Sequence, residues 1–104
     1  MNKQLVQIKN KIKEIKQQLM ALEEMRPGSL TKQYRKPRLK EGAFYQISYT
    51  HKMKSKTEYV LPQFVEQLKK ETEEFKKFKK LMQQWVDLAI KYSKINIQIK
   101  KNNM

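Results

Sequence analysis

Ala43-Phe-Tyr-Gln-Ile-Ser-Tyr-Thr-His-Lys-Met-Lys-Ser-Lys-Thr-Glu-Tyr-Val-Leu61 is rich in β-branched and aromatic residues that alternate with polar ones on either side of a basic middle. That pattern predicts two strands of a β-hairpin over 43–61. A three-residue loop, Lys52-Met53-Lys54, puts Tyr45, Ile47, Tyr49, Thr57, Tyr59 and Leu61 on one face, and Gln46, Ser48, Lys56 and Glu58 on the other. A loop of even length sets Ile47 against Glu58 and Tyr49 against Lys56, mixing the two classes, so the odd loop is expected. A two-stranded hairpin is marginal alone. Tyr45, Tyr49 and Tyr59 are therefore expected to pack on flanking helices.

Those helices are visible on both sides. Leu5, Ile8, Ile12, Ile15, Leu19 and Leu22 recur in steps of three and four, a narrow heptad seam, until Arg26-Pro27-Gly28 breaks it. This predicts a first helix over 1–25. Leu61-Pro62 opens a second, because proline in a first turn needs no backbone donor. Its stripe runs through Leu68, Phe75, Phe78, Met82, Trp85, Ala89, Tyr92 and Ile99, flanked by Leu81, Leu88 and Ile95, and no breaker appears before Asn102. A helix over 62–101 is too long for the first to cover. A homo-oligomer seam is thus expected at Phe75, Phe78, Met82, Trp85 and Tyr92. The fold class expected is mainly α: one domain built as a two-helix antiparallel coiled coil with an inserted β-hairpin.

Charge points to the partner. The chain carries 24 Lys+Arg against 10 Asp+Glu, a net of +14, and should attract polyanions. All three arginines, Arg26, Arg35 and Arg38, lie in one short stretch, although lysines run throughout. With Lys32, Lys36, Lys40, Lys52, Lys54 and Lys56 they make nine cations within residues 26–56, against the single acid Glu41. The arginine fork matches phosphate oxygens and guanine edges better than an ammonium does. Residues 26–42 accordingly read as a basic linker. Tyr34 and Phe44, outside the aromatic hairpin face, are candidates to stack on bases.

Met25-Arg-Pro-Gly-Ser-Leu-Thr-Lys-Gln-Tyr34, Ala43-Phe-Tyr-Gln-Ile-Ser-Tyr49 and Lys54-Ser-Lys-Thr-Glu-Tyr-Val60, continued by Gln84-Trp-Val-Asp-Leu88, resemble a family of short uncharacterised prokaryotic proteins often found near mobile elements. The resemblance spans about the last three-quarters of the chain. It implies a helix–hairpin–helix layout and a mobile-element protein as neighbour, and no reaction. The resemblance implies a cysteine cluster between the Gln-Tyr pair and the aromatic strand, spaced as in a small metal-binding knuckle. Here that interval is Arg35-Lys-Pro-Arg-Leu-Lys-Glu-Gly42, so the metal role does not transfer.

Catalytic chemistry finds little support. His51, the single histidine, sits in the expected hairpin loop, and Ser29 has no evident base. The acids Glu66, Glu73, Glu74 and Asp87 precede lysines by three or four residues, as in ordinary surface pairs on a helix. Gly28 and Gly42 stand too far apart for a phosphate-cradling loop. No metal or cofactor is expected. The N-terminus lacks a signal-peptide apolar run and no eighteen apolar residues are contiguous, so a cytoplasmic, membrane-free protein is expected. The function expected is non-enzymatic nucleic-acid binding, to DNA before RNA, as an accessory of a mobile element. A coiled-coil adaptor or prefoldin-like chaperone subunit that grips an acidic protein is the alternative.

Overall fold

The computed structural model describes residues 2–104; Met1, the first residue of the expected helix, lies outside them. The order is α1 (Lys3–Met20), β1 (Ser29–Lys36), β2 (Glu41–His51), β3 (Lys54–Val60), a single 3-10 turn (Pro62–Phe64) and α2 (Val65–Asn102). Two compact units result. One is Glu23–Lys76; the other joins the chain up to Leu22 with Lys77–Met104.

The expected two-helix coiled coil with an inserted hairpin is overturned. The Glu23–Lys76 unit is a three-stranded antiparallel sheet, ordered β1-β2-β3, capped by the first turns of α2, and the protein is mixed α/β. The segment read as a linker, 26–42, supplies the third strand. β1 pairs with β2 through Leu30↔Ile47, Lys32↔Tyr45 and Tyr34↔Ala43. Its alternation is hard to read in the sequence because only Leu30 and Tyr34 are even half-covered.

The odd-loop register is also corrected. β2 and β3 pair through His51↔Lys54, Tyr49↔Lys56, Ile47↔Glu58 and Tyr45↔Val60, which leaves a two-residue turn, Lys52-Met53. Both turn residues have positive φ, 51° and 64°, the conformation whose twist matches a right-handed strand pair. One face therefore carries Leu30, Tyr45, Ile47, Tyr49, Glu58 and Val60, and the other Phe44, Gln46, Ser48, Thr57 and Tyr59.

The first face holds the core of this unit. Ile47 (1% exposed), Val60 and Val65 are buried together, with Leu30, Tyr45 and Leu68 packed around them. Gly28 closes one side: its φ is +145°, and a Cβ there would sit 2.8 Å from Ile47 Cγ1. A side chain at this position would collide with the core. Polar cross-strand pairs knit the second face, Ser48 with Thr57 at 3.0 Å and Thr50 with Ser55 at 2.9 Å.

α1 begins where Asn2 accepts from the backbone N–H of Gln4 (2.8 Å) and Leu5 (3.2 Å), satisfying two orphan donors of the first turn. It ends at Met20, earlier than the expected 25. The reason is tertiary. Glu23 N donates to Glu74 Oε2 at 3.0 Å and Arg26 N to Glu71 O at 3.1 Å, so the approach to β1 is tied to α2 in a non-helical conformation.

In the helical unit, Ile8, Ile15 and Leu81 are buried. Lys9 Nζ lies 5.5 Å from the Tyr92 ring and Lys16 Nζ 5.3 Å from the Trp85 ring, so α1 runs antiparallel beside this part of α2. Of the residues expected to form an oligomer seam, Trp85 and Tyr92 thus meet α1 of their own chain, Phe78 is half-buried, and Met82 is 38% exposed. Phe75 is half-buried in the other unit. Val86, Ile90 and Ile97 join Met82 on an exposed stripe.

Candidate nucleic-acid interface

The sheet divides the sequence-predicted cations into three groups. The β1–β2 turn gathers Lys36, Arg38 and Lys40, all exposed. Pro37 fixes its entry, Leu39 N and Lys40 N donate back to Lys36 O (3.1 Å) and Pro37 O (3.3 Å), and Lys40 takes a positive φ of 52°. A tight turn projects its side chains outward. The β2–β3 turn does the same with Lys52 and Lys54 beside His51 and the almost fully exposed Met53. Eleven residues of β2 separate the two turns, roughly 33 Å of extended chain. Among the described residues none of these five lysines and arginines is in an ion pair.

The second group lies on the helix-covered face. Arg26 Nη2 binds Glu58 Oε2 at 2.8 Å, and its guanidinium lies 5.1 Å from the Tyr49 ring centre. The Tyr49 hydroxyl donates to Glu58 Oε1 at 2.9 Å. Hydrogen bonds from Arg26 first, then Tyr49, hold the Glu58 carboxyl below the usual carboxylate range, and the bond to Glu58 raises Arg26 in turn. Glu58, about half exposed, stands opposite Ile47 in this register, where Arg26 and Tyr49 both bond it. Arg26 is committed to the fold. On the same face Lys56 stands opposite Tyr49, and Lys32 Nζ lies 5.6 Å from the Tyr34 ring. Lys69 Nζ lies 5.7 Å from the Tyr45 ring.

The third group is Arg35 with two rings on the opposite face. Its guanidinium lies 5.8 Å from the Phe44 ring centre, and Phe44 lies 6.2 Å from Tyr59, tilted by 36°. Gly42 stands beside Arg35 with a φ of 69°, and a Cβ there would come within 3.0 Å of Arg35 Cβ, so its absence gives the Arg35 stem room. Arg35, Phe44 and Tyr59 form a diagonal row across β1, β2 and β3. Tyr59 is 54% exposed. Sequence reasoning placed it in the core with Tyr45 and Tyr49, and the two-residue turn moves it to this face; recognising Lys52-Met53 as the turn was the signal that finds it.

Among the described residues no group of three or more His, Asp or Glu gathers at one place, and no helix is long and apolar enough to cross a membrane. No family model, curated protein or solved structure matches the chain.

Proposed function

We propose that this protein is a non-enzymatic nucleic-acid-binding accessory factor that holds phosphates with the two basic turns at opposite ends of β2. The observation that carries this reading is the set of exposed cations at those turns, Lys36, Arg38, Lys40, Lys52 and Lys54, free of ion pairs among the described residues. A side chain that neither pairs internally nor fills a core stabilises nothing in the fold, and clustering such cations costs self-repulsion. A polyanion relieves it. Arg35 adds a sixth cation next to the first turn. The mobile-element setting is supported by the sequence resemblance alone.

Contacts to phosphate give affinity and little sequence information. Binding should therefore depend steeply on salt. Changing Arg35, Lys36 and Arg38 together to Gln should flatten the plot of log K against log salt by about two to three units, with helical circular dichroism unchanged. The same three-charge loss at Lys76, Lys77 and Lys80 on α2 should matter less. Equal losses from the two triple variants would show that the turn is not the binding surface and would favour an acidic protein partner.

A further inference from the structure

We infer that the sheet face carrying Arg35, Phe44 and Tyr59 is a stacking platform for the bases of a single strand. This rests on the reading of the basic turns as a phosphate-binding surface and names the form of nucleic acid they take.

Composition of the face comes first. Alternation along the three strands gives it small or amide side chains, such as Thr31, Gln33, Gln46, Ser48 and Thr57, which suit a solvent-facing sheet. Phe44 and Tyr59 break that pattern. The core of this unit lies entirely on the other side, around Ile47, Val60 and Val65, so neither ring is needed to fill it. Tyr59 is 54% exposed.

Charge selects the occupant. Glu41 and Glu58, the acids of the three strands, both fall on the opposite face by register, which leaves Arg35 as the charged residue here. A row of one guanidinium and two rings, without an acid, complements a polyanion that also presents π-faces. The Lys36–Lys40 turn starts next to Arg35, so a strand whose bases lie on the rings can bring its phosphates to that turn.

Geometry selects the strand form. The ring centres are 6.2 Å apart, wider than the about 3.4 Å between stacked neighbours of a duplex strand. Bases seated on the two rings must be unstacked from one another, as in an extended single strand. A duplex keeps its base faces internal and can use the phosphate contacts only.

The test is titration of fluorescein-labelled dT12, rU12 and a 12-base-pair duplex at low salt with wild-type protein and the F44A/Y59A pair. Loss of the rings should weaken both single strands by at least about tenfold and the duplex by less than about twofold. F44L/Y59L keeps apolar bulk while removing the π-faces; it should lose single-strand affinity likewise and decides the matter if the alanine pair unfolds. Single-strand affinity that survives either folded variant, or falls in step with duplex affinity, overturns the platform while the phosphate reading stands. Ring variants that change oligomeric state instead would mark the face as a contact between copies and overturn it equally. Absence of wild-type binding to all three probes would defeat the underlying phosphate reading itself.

Discussion

Replacing Ile47 by Ala should cost the sheet unit a large part of its stability. Ile47 is 1% exposed and lies at the centre of a core with just two other buried members, Val60 and Val65. Three carbons are removed; at about 0.8 kcal/mol per buried methylene the transfer loss is about 2.4 kcal/mol. Gly28 and the strand backbone around the site are held by hydrogen-bonded pairing and close only part of the cavity, which brings the total to about 3–4 kcal/mol. For a chain of this size that corresponds to a fall in Tm of about 12–30 °C. Tyr34, Tyr45, Tyr49 and Tyr59 lie in the sheet, whereas Tyr92 and Trp85 lie in the helical unit, so during thermal unfolding Trp85 fluorescence follows the helical unit and, in a Tyr92→Phe background, the tyrosine signal follows the sheet. Ile97→Ala, at a residue 51% exposed, is the control and should change stability by no more than about 0.5 kcal/mol. If Ile47→Ala behaves like Ile97→Ala, the assigned core and the register that creates it are wrong.

Replacing Lys52-Met53 by Asn-Gly should stabilise the protein by about 1 kcal/mol in urea unfolding, because both residues occupy the left-handed region that Asn and Gly tolerate best; a three-residue loop predicts no such gain. Glu58→Gln should blunt acid sensitivity. The Glu58 carboxyl is held below its ordinary value in the folded protein, so its contribution is complete above the unfolded carboxylate range and is lost as pH falls through the folded value. Wild type should thus lose more Tm than Glu58→Gln between about pH 5 and about pH 3, and parallel curves for the two would show that the Arg26–Glu58–Tyr49 triad carries no linkage.

The helices were legible because their apolar positions repeat every three to four residues over many turns. Ile8, Ile15 and Leu81 are buried as that periodicity requires. β1 was not legible, since a strand covered at Leu30 and Tyr34 and otherwise exposed resembles a basic linker. Demanding a uniformly apolar face misled the register. The covered face is apolar only beneath α2, and further along it admits Glu58, whose partner Arg26 lies 32 positions earlier in the chain. The same pairing separates Arg26 from the cations that charge counting grouped with it. Clustering in sequence located the basic surface at Lys36–Lys40, yet which cations are engaged internally depends on strand order, and alternation alone leaves that open.

Binding of wild-type protein to nucleic acid across a salt series tests the central claim most directly. With four to six phosphates neutralised per chain by the two turns and Arg35, log K for duplex DNA should fall against log salt with a slope near −4 to −5. A slope near zero, or no binding to any single or double strand at low salt, would contradict it.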